Sequence, residues 1–155
     1  MTSISNRDQR FVEIAANEAK RSMCLMQHGC VAVKNGRIIG RGYNTYRTSS
    51  KDGFIQNCMT CHAEISALRQ VYKYNKNFKK VILYIVRLDH NNCLKSSGPC
   101  IDCMNQILRL KIKRIIYSNN DGELIVENPE SYITKHKTTG YRILNNYNIN
   151  KNIYC

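Results

Sequence analysis

Acidic residues are scarce in this chain. Eleven Asp and Glu stand against 24 Lys and Arg, a formal charge of +13 at neutral pH. Such an excess favours anionic partners: nucleotide phosphates, RNA or single-stranded DNA. The charges are spread along the chain, with no block of roughly five or six like charges, so a long nucleic-acid-binding arm is not expected. Nucleic acid is therefore the lesser expectation and a small phosphorylated partner the greater. Long apolar runs are also missing. No stretch of about 18 uncharged apolar residues occurs, which excludes a helical membrane span. The polar start, Met1 to Arg10, lacks a signal-peptide core, and no internal repeat is visible. With no export signal, the eight cysteines read as mostly free thiols in a reducing compartment, the cytoplasm, rather than as disulfides.

Two short stretches carry the chemistry. The first is His62-Ala63-Glu64 and the second Pro99-Cys100-Ile101-Asp102-Cys103, so the chain contains H-x-E, 34 residues, then P-C-x-x-C. Cys100 and Cys103 fall on one face of a helix, and Pro99 suits its first turn. The positive end of that helix favours thiolates. His62 opens a second helix and supplies a third ligand. Three protein ligands leave one tetrahedral position for water, as a catalytic zinc requires, and the metal lowers that water's pKa to roughly 7. Glu64 is near the metal without being needed as a ligand, so it is free to move a proton from water to a substrate nitrogen. A Cys-x-x-Cys pair alone also fits a structural zinc knuckle or a redox pair.

With these residues the chain resembles the zinc-dependent cytidine/deoxycytidylate deaminase superfamily over roughly residues 5 to 118, a signature known for nucleobase deaminases. The resemblance implies His62, Cys100 and Cys103 as zinc ligands and Glu64 as the proton shuttle. It implies a sugar contact for Asn44 in Gly42-Tyr43-Asn44, and it adds Ala63 to the substrate-binding residues through nearby backbone N–H groups. The activity implied is hydrolytic release of ammonia from a cytosine nucleoside or nucleotide. A tRNA adenosine deaminase or polynucleotide editor, and a non-catalytic zinc domain, are the rivals. Relatives are usually dimers or larger, so a homo-oligomer is implied. Some deoxycytidylate deaminases hold an additional zinc near Cys58 and Cys61. Two thiolates are half a tetrahedral site, and His28, Cys30, His90 or Cys93 would have to complete it, so free cysteines are the preferred reading.

The remaining pattern is α/β, and the length suits one domain over 1–155, with its core at about 5–127. Arg7 to Met26 reads as an amphipathic helix capped by Ser5 or Asn6. Gly29 to Val33 and Arg37 to Gly42 form a hairpin through Asn35-Gly36. His28 precedes this first strand and stays outside the site list. Thr45 to Thr60 is a polar loop at the site's mouth, with Arg47 and Lys51 as candidate phosphate contacts. A helix over His62 to Lys73, a strand over Val81 to Leu88, a polar loop over Asp89 to Gly98, a helix over Cys100 to Leu110 and a strand over Ile112 to Ser118 follow. The expected architecture is a deaminase-like three-layer α/β/α sandwich around a mixed five-stranded sheet. The short link after Ser118 makes the last strand, Glu123 to Val126, antiparallel. That departs from the parallel last strand of deoxycytidylate and tRNA adenosine deaminases and matches free-cytidine deaminases. Tyr132 to Lys137 reads as a short helix, Tyr141 to Leu144 as a strand or pocket wall, and 145–155 as a loose tail.

Overall fold

The computed structural model describes residues 4–56, 58–74 and 76–138. The readings for Tyr141 to Leu144 and for the tail lie outside these residues. Helix α1 spans Asn6–Ala19, strand β1 Gln27–Lys34 and strand β2 Arg37–Tyr43. Helix α2 spans Ala63–Tyr74, β3 Ile82–Leu88, β4 Leu94–Lys95, helix α3 Ile101–Arg109, β5 Arg114–Ser118 and β6 Leu124–Glu127. The main sheet runs β2-β1-β3-β5-β6, and β4 pairs with β3 beyond the reach of β5. Only β3 and β5 are parallel, joined through α3, and the other pairings are antiparallel.

The sheet is covered on both faces, which gives the three layers. Alternation decides which residues face which layer. Val31, Val33, Tyr84 and Val86 pack on Phe11, Val12, Ala15 and Ala19 of α1. Cys30, Ala32, Leu83 and Ile85 pack on Ala67, Leu68, Met104 and Ile107 of α2 and α3. Asn35 and Gly36 make the β1–β2 turn with φ of 50° and 76°, both positive as a two-residue primed turn requires. Gly42 lets α2 lie close on the sheet, because a Cβ there would run into the backbone of Ala63 and Ala67.

Several elements differ from the sequence reading. Helix α1 ends at Ala19, not Met26. The Ser22 hydroxyl donates to Asn44 O at 2.9 Å and accepts from Cys24 N, a side-chain bond that competes with helix continuation. Met23, counted on the apolar face, is exposed. Ser5 is the N-cap, in a capping box with Asp8. The loop after β3 returns as β4: the Asp89 carboxylate accepts from the N–H groups of Asn91 and Cys93 and turns the chain. A two-residue strand has no period to detect.

Tyr132 to Lys137 is not helical. It crosses the start of α3 as an irregular strap. The Tyr132 hydroxyl donates to Pro99 O at 3.0 Å, its ring meets Tyr117 edge-on at 5.5 Å, and His136 O accepts from Ile101 N at 3.0 Å. The strap thus satisfies an N–H that the helix start leaves unpaired, and these contacts replace the helical hydrogen bonds. The expected antiparallel β6 forms, with Ile116 opposite Val126.

Candidate metal centre

The starts of α2 and α3 meet over the α2/α3 face of the sheet, at the end where β2 and β3 finish. His62 immediately precedes α2, and its carbonyl accepts from Ser66 N at 3.0 Å. Cys100 is the N-cap of α3, with extended backbone (φ −73°, ψ 171°). This corrects one detail: Pro99 lies before the cap rather than in the first turn, and the two cysteines occupy the cap and third positions of the helix. The Cys100 side chain makes no capping hydrogen bond, and its sulfur instead accepts from Cys103. Ser97 holds the approach. Its hydroxyl donates to Ile85 O at 2.7 Å, and its N–H donates to Ser118 O at 2.8 Å.

His62 Nδ1 stands 3.2 Å from Cys103 Sγ and 3.5 Å from Cys100 Sγ. All three candidate ligand atoms lie within 4.8 Å of one another. A tetrahedral zinc with its usual bond lengths needs N···S edges of about 3.6 Å and S···S edges of about 3.8 Å, so this donor set fits. His62, Cys100 and Cys103 form a potential zinc site of three soft or borderline donors, one short of a tetrahedral set among the described residues.

The charges agree. Cys103 donates to Cys100, which brings the Cys100 thiol down to about 4 against the opposition of burial, with His62 assisting. The same bond, together with burial, pushes Cys103 well above the usual thiol range. Burial pulls His62 down, but its bond to Cys100 and the charge of Glu64 outweigh this and raise it to about 9. The pair therefore holds one thiolate beside an imidazolium until a cation displaces the protons. Glu64 is 4% exposed. Burial pushes its carboxyl above the ordinary range, and the neighbouring His62 opposes that shift. A buried carboxyl raised in this way holds a proton more readily than an exposed one, which suits a group that must accept a proton and return it.

Ala63 is fully buried at the first position of α2, and its N–H is one of those that helix geometry leaves without an intrahelical acceptor. Asn44 directly follows β2. Its Oδ1 accepts from His28 N at 2.9 Å and its Nδ2 donates to Met26 O at 2.7 Å. The amide thus anchors the start of β1, with one lone pair and one N–H remaining for a ligand. Arg47 turns its Nε onto Ser49 O, and Lys51 is exposed. The loop before α2 is tied down by an Arg69–Asp52 ion pair of 2.8 Å. Cys58 and Cys61 gather no further metal-ligating partners among the described residues.

Three residues bordering the site were not selected from the sequence. Tyr132 lies close enough to Glu64 and Cys100 to feel their charges, though burial is the larger cause of its raised pKa. His28 is pushed down to about 4, first by burial and then in part by the charges of His62 and Arg87. Arg87 is its cross-strand partner. Only for His28 and Arg87 was a signal available: polar residues at positions that the strand alternation turns toward the helix face.

Residues 5–119 match the family model described as the cytidine and deoxycytidylate deaminase zinc-binding region. The chain is 32% identical over 127 residues to the deoxycytidylate deaminase of Schizosaccharomyces pombe, covering 71% of this chain but 36% of that protein. It is 32% identical over 112 residues to a tRNA-specific adenosine deaminase of Buchnera aphidicola subsp. Baizongia pistaciae, covering 71% of this chain and 60% of the relative. A second such enzyme, from Buchnera aphidicola subsp. Schizaphis graminum, is 30% identical over 122 residues, with 77% and 71% covered. Among solved structures, the apo dCMP deaminase of cyanophage S-TIM5 superposes with a TM-score of 0.57 at 23% identity, covering 93% of this chain and 94% of that one. Cytidine deaminase from Burkholderia pseudomallei superposes with a TM-score of 0.64 at 16% identity, covering 86% and 100%. At these identities the two structures show a shared fold.

Proposed function

The chain belongs to the cytidine and deoxycytidylate deaminase zinc-binding family, and from that premise we propose that it hydrolyses the exocyclic amine of a cytosine nucleoside or nucleotide. The observation that carries this reading is the convergence of His62, Cys100 and Cys103 beside the buried carboxyl of Glu64. When bound, zinc supplies a Lewis acid that lets water ionise near neutral pH. Glu64 takes one proton from the attacking water and delivers it to the ring nitrogen, then carries the remaining proton of the added hydroxyl to the departing amine as the carbon–nitrogen bond breaks. One water is consumed and one ammonia released, and the uracil form remains. The Ala63 N–H, free of an intrahelical acceptor at the start of α2, suits an oxygen at the reacting end of the base, and the spare N–H and lone pair of Asn44 suit a sugar hydroxyl. Tyr132, whose hydroxyl donates to Pro99 O, holds the strap against the start of α3.

Similarity to tRNA-specific adenosine deaminases supports a second reading, in which the base is adenine in RNA. A substrate panel separates the two: ammonia release from cytidine, deoxycytidine, CMP, dCMP and a tRNA anticodon stem-loop, with zinc quantified in the same preparation. Turnover of a cytosine compound is expected. Turnover of the anticodon stem-loop alone would replace the first reading with the second. A zinc-loaded protein inert toward every member would remove both.

A further inference from the structure

A row of polar residues crosses the sheet at the end that carries the metal centre. Asn44 follows β2, and its N–H donates to His28 O at 3.2 Å. His28 of β1 pairs with Arg87 of β3, and Arg87 pairs with Lys95 of β4. Residues directly opposite one another in a sheet point to the same side. That side is the metal side, since Leu83 and Ile85, which alternate with Tyr84 and Val86, pack against α2 and α3. Leu88 and Leu94, the next pair along, face α1 instead. Asn44, His28, Arg87 and Lys95 therefore line one side of the sheet next to the ligands, and His28 feels the charges of His62 and Cys100.

Arg87 is the anomaly in this row. Its Nε is buried and has no hydrogen-bond partner among the described residues. An orphaned cationic donor is costly and is the kind of exception that calls for a missing partner. The neighbours do not supply one. The His28 imidazole has its Nδ1 3.3 Å from Met26 O, and an imidazole, neutral or protonated, supplies no negative charge to a guanidinium. Lys95 adds a second cation, and its own partner, the Asp89 carboxylate, lies 3.8 Å away. Two thiolates are balanced by one zinc dication, so the ligand cluster leaves no negative charge for Arg87. The row therefore carries more positive than negative charge, with an unpaired buried donor on a residue that lies on the metal side of the sheet.

The geometry points to Arg87, with Lys95 beside it, as the residue that takes a phosphate group of the substrate. A guanidinium suits a phosphate because its planar fork matches two oxygens at once. The phosphate comes from a free nucleotide or from a polynucleotide backbone, and the chemistry at Arg87 is the same for both. This rests on the cytosine-deaminase reading above and selects the phosphorylated substrate within it. The direction of β6 does not bear on the choice, because β6 lies beyond β5 and the row uses β2, β1, β3 and β4.

The test uses the full-length, zinc-loaded chain with Glu64→Gln to prevent turnover. Affinities for cytidine, CMP and a short single-stranded oligonucleotide with one central cytidine are measured calorimetrically, with and without Arg87→Gln or Arg87→Lys. CMP is expected to bind about tenfold to a hundredfold tighter than cytidine, the range a charge-assisted fork provides. Arg87→Gln should collapse that ratio toward one, and Arg87→Lys should leave an intermediate value. An oligonucleotide that outbinds CMP, with its advantage lost in Arg87→Gln, assigns the phosphate to a polynucleotide. No preference for CMP or the oligonucleotide over cytidine, or a preference that survives Arg87→Gln, overturns the assignment. Zinc content and thermal melting check that Arg87→Gln is folded, and if it is not, an undiminished ratio in Arg87→Lys overturns the fork. The two readings fail separately: a protein that binds through phosphate yet deaminates no cytosine compound loses its reaction and keeps this subsite. One that deaminates cytidine and CMP alike loses the subsite and keeps its reaction.

Discussion

Cys58 and Cys61 stand at the same spacing as Cys100 and Cys103, and the structure treats the two pairs differently. Cys100 and Cys103 occupy the cap and third position of α3, where the helix end favours negative charge. Cys103 donates to Cys100, both sulfurs face the His62 imidazole, and Cys100 is drawn down to about 4, first by that donor. Cys58 and Cys61 lie in the loop before α2. Cys58 Sγ donates to Gln56 O at 3.1 Å and Cys61 Sγ to His62 O at 3.5 Å. Burial pushes Cys61 up to about 12, so its thiol stays protonated. Spacing alone therefore does not make a metal pair. A helix start, an S–H donor aimed at the neighbouring sulfur and a facing histidine do.

Removing ligands gives the largest test of this contrast. Cys100→Ala or Cys103→Ala should reduce zinc from about one equivalent to a small fraction, because two ligands no longer hold a tetrahedral ion, and abolish ammonia release. Cys58→Ser and Cys61→Ala should retain the metal, as read by inductively coupled plasma spectrometry. Zinc loss in either loop variant would erase the distinction. Glu64→Gln comes next. It keeps the ligands and should keep zinc, while turnover falls by about 10²- to 10⁴-fold, the worth of a positioned acid–base group. Full activity in the zinc-replete variant would remove Glu64 from the chemistry.

Zinc affinity sharpens the contrast further through pH. At pH 7 the metal-free site holds protons on His62, raised to about 9, and on Cys103, raised further, while Cys100 is already a thiolate. Binding must release both protons, so affinity should fall as pH falls, by about two log units per pH unit near neutrality. Above about 9 His62 is neutral and the slope should drop to one. Competition with a chelator across pH 6 to 8 measures this, and a flat profile would contradict the assigned protonation. The smallest effect belongs to the strap. Tyr132→Phe deletes the bond to Pro99 O and should cost about 1 kcal/mol, read as a small drop in melting temperature with zinc retained.

Local chemistry made much of the molecule legible. His62, Glu64, Cys100 and Cys103 stand out because ligand types at fixed short spacing survive any error in element boundaries. Asn35-Gly36 announces its turn because few other residues accept two positive φ values in succession. The short link after Ser118 fixes the direction of β6 for want of chain to cross over. Other features escaped because their causes are distant in sequence. The end of α1 depends on Ser22 meeting Asn44. The strap owes its shape to contacts with Pro99, Ile101 and Tyr117.

The amino-acid order by itself therefore determined the parts of the candidate metal site and the layered architecture, since periodicity and short motifs act within a few residues. Tertiary structure decided which of two identical cysteine pairs sits beside a histidine. It also decided which strand register sets His28 against Arg87. Register is a relation between segments far apart in the chain, and packing of the whole core settles it, so no single window of sequence contains the outcome.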